Sequence, residues 1–183
     1  GGGGGHAPCI TREALRSKRV MELGCGVGGL PGLVCSVLGC EEVCLSDVDV
    51  VLPGLKENAQ GFASLVAAHP TLKQCEKVEC VALDWSNEEH LRTASQRPFD
   101  LVIGCDLMNS EGNVAPLLRV IQALTHADST VLFVDSVRTP LSDKAFRREF
   151  EGGGFRLEEL DGEAFDVMFH HANIDATLVR RRA

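Results

Sequence analysis

This chain is predicted to form an α/β domain, a doubly wound and mostly parallel sheet of seven strands that ends in a C-terminal antiparallel hairpin. Three observations carry that expectation. Short apolar runs alternate with stretches of helical periodicity, as crossover units require. A glycine-dense turn, Gly24-Cys25-Gly26-Val27-Gly28-Gly29, separates the first apolar run from the first helical stretch. The run at 100–104 is hydrophobic without alternation, the pattern of a strand covered on both faces.

The elements follow in order. The first strand is read at Arg19–Leu23, and the first helix at Leu30–Leu38, stopped by Gly39. A strand at 43–46 leads into a helix over 50–68 that closes before Pro70. The third strand spans 77–83, and a short helix occupies 87–94. After the fourth strand come a helix at 113–125, a strand at 130–135 and a helix at 142–151 that halts at Gly152, Gly153 and Gly154. Strands at 156–160 and 174–179 complete the sheet. No internal repeat or linker interrupts this order. Residues 1–17 are expected to be a glycine-rich, truncated N-terminal tail, and 18–183 the folded domain.

Composition narrows the class. With 183 residues and 44% apolar content, the chain can bury a single core. It carries 26 acidic against 18 basic residues, a net charge of −8, so it lacks the basic field that grips a phosphate backbone. A cationic partner is the expectation, and nucleic acid is not. The basic groups at 12–19, 147–148 and 180–182 read as solvated faces, and His170-His171 as a loop or strand-edge pair. No apolar run approaches the roughly 18 residues that cross a bilayer. The expectation is therefore a soluble monomer in the cytoplasm, with the nucleus as a further location. The eight cysteines contain no C-x-x-C pair, which points to reduced thiols in the packed elements and to no metal site.

The turn after the first strand is built for a nucleotide-type cofactor, since glycines let the backbone approach a ligand and the helix behind them presents free N–H groups. Gly24-x-Gly26-x-x-Gly29, followed by Asp47, also satisfies a dinucleotide fingerprint. Glu22 favours a different ligand. An acid two residues ahead of the first glycine suits the amino group and sulfonium of S-adenosylmethionine and sits poorly beside a pyrophosphate. Its bland alternative is a strand-end carboxylate that binds turn amides.

Taken with the turn, Leu30-Pro31-Gly32, Ser46-Asp47, Leu55-x-x-Asn58, Leu83-Asp84-Trp85 and the run Phe99-Asp100-Leu101-Val102-Ile103-Gly104-Cys105-Asp106 give a chain that resembles the seven-β-strand S-adenosylmethionine-dependent methyltransferases. The likeness is to their protein-lysine methyltransferase group, which acts on elongation factors, chaperones and calmodulin, and it covers about residues 18 to 160. The resemblance implies a Rossmann-like methyltransferase fold, S-adenosylmethionine as cofactor and a lysine-bearing protein as substrate. Cofactor contacts are expected from Glu22, Gly24, Cys25, Gly26, Gly28, Asp47, Val48, Asp84, Trp85 and Cys105. Asp47 can accept the ribose hydroxyls, or else cap the following helix. Asp84 can take the adenine amino group, with Trp85 either beside the base or in the core. Asn58, inside a helix, reads as structural.

Asp106 and Asn109 are the candidate catalytic residues, at the point where methyl transfer is expected. Asp106 would capture and orient an amine, because a carboxylate stabilises the ammonium form and does not itself acidify it. The chain departs from the family at three places. It reads Asp106-Leu107-Met108-Asn109 where the group carries Asp-x-x-Tyr, and it contains no tyrosine. It has one extra glycine before Leu30, and little sequence ahead of the first strand. Two other classes therefore stay open, a methyltransferase for a small molecule or RNA and a non-catalytic binding domain on the same fold. A nicotinamide oxidoreductase is disfavoured, since no Tyr-x-x-x-Lys pair accompanies the glycines.

Overall fold

The computed structural model describes residues 11–107, 110–136, 140–160 and 174–182. Its strands are β1 (Arg19–Leu23), β2 (Glu42–Asp47), β3 (Lys77–Ala82), β4 (Phe99–Cys105), β5 (Thr125–Ser136), β6 (Phe155–Leu160) and β7 (Ile174–Arg181). The helices are α1 (Leu30–Leu38), α2 (Leu52–Ala68), α3 (Glu88–Ala94), α4 (Val114–Leu124) and α5 (Pro140–Gly152). They form one seven-stranded sheet in the order β3-β2-β1-β4-β5-β7-β6. The pairs from β3 to β5 are parallel, and β7 runs antiparallel to both β5 and β6. The expected doubly wound sheet and terminal hairpin are both present.

Alternation along the strands divides the core between the two faces. Val20, Val43, Leu45, Leu101 and Ile103 pack with Leu33 and Cys35 of α1 and Leu55 of α2. Met21, Leu23, Cys44 and Val102 point the other way, into a cluster with Leu91, Leu117, Ile121 and Phe150 from α3, α4 and α5. Within that second cluster Phe133 meets Phe146 and Phe150 edge-on, at centroid distances of 5.6 and 5.9 Å. Both faces are thus covered, which is why β4 reads as continuous hydrophobicity.

Most boundaries shift by a residue or two from the sequence reading, and three of the shifts have a clear physical reason. β2 begins at Glu42, not at Val43, because Arg19 Nε donates to Glu42 Oε2 at 2.7 Å and lets a buried acid enter the sheet. The helix expected from Val50 starts instead at Leu52, behind a 3₁₀ turn at Asp49–Val51, with Pro53 in its first turn. β5 begins at Thr125, five residues early, across an irregularity that opens after the Phe99–Thr125 pair. Among the described residues, no helix is long and apolar enough to cross a membrane.

Candidate active site

The strand order reverses between β1 and β4, and crevices at the carboxyl ends of the strands beside such a switch point are where open α/β sheets bind ligands. The glycine turn leaves β1 at this place. Gly24 and Gly26 both have φ of +58°, a conformation that side-chain-bearing residues rarely adopt. A Cβ on Gly26 or Gly28 would meet nothing within 4 Å, so the backbone there borders open space. A Cβ on Gly24 would lie 2.6 Å from Leu107 Cδ2. Leu107 therefore links the β1 turn to the end of β4.

Three acidic side chains stand at the same ends of three neighbouring strands, β1, β2 and β4. Glu22 is 2% exposed, and its Oε2 accepts the Gly32 amide at 2.7 Å in the first turn of α1. Burial pushes its carboxyl up to about 7, only partly opposed by that amide, and no cation neutralises it among the described residues. Asp47 accepts the Gly26 amide through Oδ2 and its own neighbour Val48 through Oδ1, each at 2.7 Å. It braces the glycine turn, while a carboxylate's four lone-pair directions leave acceptor capacity toward the crevice. Asp106 follows β4 with φ of +54°, and its Oδ1 accepts from Ser136 N at 3.0 Å and Ser136 Oγ at 2.6 Å. The end of β5 thereby fixes the carboxylate at the end of β4.

The remaining candidates fall into two sets. Cys25 joins the turn to β2 by donating its amide to Ser46 O at 3.1 Å. Cys105 is half-buried, and its thiol is held up at about 11 by burial, reinforced by the negative charge of Glu22. Val48 stands exposed beside Asp47, at the same mouth. Asp84 and Trp85 follow β3, tied to β2 through the Leu83 amide on Asp47 O at 2.8 Å. The Asp84 carboxylate closes a local turn on Ser86, whose hydroxyl and amide hold it below the ordinary range. Trp85 is partly buried against the core cluster of Leu91 and Leu117, and its carbonyl accepts from Arg119 at 2.7 Å. Asn109, like His170 and His171, lies outside the described residues.

Sequence reading missed Ser136, the partner of Asp106, because the two stand 30 residues apart and only strand pairing joins them. Asn58, read as structural, donates its amide nitrogen to Val27 O at 2.7 Å and ties the glycine turn to α2. Among the described residues, no group of three or more His, Cys, Asp or Glu gathers to hold a metal ion.

A family model described as lysine methyltransferase matches residues 6–151. Protein N-lysine methyltransferase METTL21A of Danio rerio is 31% identical over 126 residues, which cover 68% of this chain and 52% of that protein. EEF1A lysine methyltransferase 3 of Mus musculus is 25% identical over 144 residues, covering 79% of this chain and 56% of its own length. The chain thus spans about half the length of these relatives. Among solved structures, an S-adenosylmethionine-dependent methyltransferase of Clostridium acetobutylicum aligns with a TM-score of 0.65 at 13% identity, over 96% of this chain and 88% of that one. That likeness is one of fold.

Proposed function

Because the chain belongs to the lysine methyltransferase family, we propose that it transfers a methyl group from S-adenosylmethionine to a lysine side chain of a protein substrate. The observation that carries this reading is an open glycine turn and three carboxylates, Glu22, Asp47 and Asp106, at the same end of the sheet, beside its switch point. Such a site matches a cofactor with two cationic groups and a substrate that arrives as an ammonium ion. The net charge of −8 favours the approach of the same kind of substrate.

The residues present fit the cofactor. Glu22 is a buried acid with spare acceptor capacity, suited to the amino end, Asp47 would accept the ribose hydroxyls, and Gly26 and Gly28 leave room for close approach. When bound, S-adenosylmethionine supplies an electrophilic methyl on a sulfonium. The remaining work belongs to the chain. Asp106 binds the incoming ammonium and aligns it, and Ser136 keeps that carboxylate in one orientation. Lysine ordinarily titrates near 10.4, and a carboxylate raises that value, so the proton leaves to water as the amine is desolvated.

Transfer of labelled methyl groups into a methyltransferase-depleted lysate, followed by separate protease and nuclease digestion, tests this reading. Label that survives nuclease and is released by protease as methyl-lysine supports it. Label in RNA or in small molecules overturns the substrate assignment, and cofactor binding without any label overturns the catalytic one.

A further inference from the structure

Pairing along β3 ends at Ala82, and the Leu83 amide still reaches Asp47 O at 2.8 Å. The next amide, that of Asp84, lies beyond the ladder. It donates instead to Nδ1 of His90, on α3, at 3.2 Å. The start of α3 sets His90 in place for this. Asn87 caps the helix, its Oδ1 accepting the amides of Glu89 at 3.0 Å and His90 at 3.2 Å. The Asn87 amide in turn donates to Asp84 O at 3.0 Å. The turn at 84–87 and the first turn of α3 are therefore one hydrogen-bonded unit, and the imidazole closes it.

The two ring nitrogens have separate surroundings. A nitrogen that accepts an N–H presents its lone pair, so the neutral ring carries its proton on Nε2. Nε2 faces Asp49 Oδ2 at 3.8 Å, past hydrogen-bond length and opposite an exposed carboxylate, which makes this contact weak. Nδ1 is thus the atom through which His90 acts. Asp84 for its part spends Oδ1 on Ser86 N at 2.8 Å and Ser86 Oγ at 2.7 Å, which leaves Oδ2 to accept from a ligand. Trp85 is held separately, by Arg119, so the hold of His90 falls on Asp84.

We propose that His90 is a positioning residue for the cofactor, fixing the backbone of Asp84 so that the second carboxylate oxygen meets the adenine amino group. This rests on the reading of the site as an S-adenosylmethionine pocket, and adds to it a residue that touches no ligand. Without the imidazole, the Asp84 amide loses its partner and the turn is free to carry the carboxylate away from the base.

Calorimetric titration with S-adenosylmethionine, together with amide NMR spectra of the same samples, tests the proposal. His90→Ala should weaken binding roughly tenfold and move the Asp84 amide resonance even without ligand. His90→Asn sets an amide oxygen as many bonds from the backbone as Nδ1, and should restore the resonance and bring affinity back to within about twofold. His90→Gln sets its polar atoms at the distance of Nε2 and should restore neither. Because His90 acts through Asp84, adding His90→Ala to Asp84→Ala should lower affinity by less than about twofold more. Unchanged affinity in His90→Ala, rescue by glutamine in place of asparagine, or independent losses in the double variant would overturn the proposal. Failure of the unaltered chain to bind S-adenosylmethionine would overturn the reading of the site on which it stands. If His90→Ala does not fold, the comparison of His90→Asn with His90→Gln decides the matter.

Discussion

Asp106 combines a left-handed backbone with a carboxylate held by a neighbouring strand, and the two features constrain which substitution is informative. At φ of +54°, alanine adds backbone strain to the loss of charge, whereas asparagine tolerates this conformation and keeps the side-chain shape. Asp106→Asn is therefore expected to lower methyl transfer by about a hundredfold or more, with S-adenosylmethionine affinity changed by less than about twofold. Parallel measurements of turnover and calorimetric affinity check this, and an equal loss of both would move Asp106 into the cofactor pocket. Much of this constellation was legible in the sequence, because Glu22, Asp47 and Asp106 each sit at the end of an apolar run and strand ends converge on the switch point. Ser136 was not, since its contact with Asp106 depends on β4 lying beside β5. The side-chain setting of Trp85 was equally hidden, because a half-buried aromatic and a core aromatic have the same local sequence.

α1 depends on one missing side chain. Gly32 lies over β1 and β2, where an added Cβ would come within 2.4 Å of Leu45 Cδ2 and 2.8 Å of Glu22 Oε2. Gly32→Ala should therefore destabilise the fold by about 1–3 kcal/mol through overpacking, read as a lower urea midpoint at unchanged slope. On the other face, Phe150 is fully buried between Phe133, Phe146 and Phe155. Phe150→Ala should cost about 3–5 kcal/mol, a large part of the roughly 5–15 kcal/mol that holds a domain together. Helix and strand identities were readable because glycines and prolines punctuate them, as at Gly39, Pro70 and Gly152. The early start of β5 was not, for His126 and Asp128 look like loop residues and enter the strand only through an irregular register. Likewise the pair Glu41-Glu42 looks like a surface turn until Arg19 and Lys77 arrive on Glu42, both at 2.7 Å.

Two buried acids with opposite shifts set how the stability of the chain responds to pH. The hydrogen bond from Arg19, aided by Lys77, holds Glu42 down at about 2 in the fold, so its contribution is complete above its ordinary 4.5 and is lost as pH falls toward 2. Burial holds Glu22 up at about 7, so the native state favours its protonated form, and that stability is complete below 4.5 and lost as pH rises through 7. With an isoelectric point near 5.2, self-repulsion is also least in the same window. Unfolding temperature without cofactor should thus peak near pH 5 and decline toward pH 8, and Glu22→Gln should flatten that decline between pH 5 and 7. A cationic ligand next to Glu22 favours its ionised form, so cofactor binding near pH 6 should release a proton. The most direct test is calorimetric titration of the chain with S-adenosylmethionine and, separately, with NAD. Saturable binding of one S-adenosylmethionine per chain, with no heat from NAD, is the expected result, and a flat S-adenosylmethionine titration or binding of NAD in its place would contradict it.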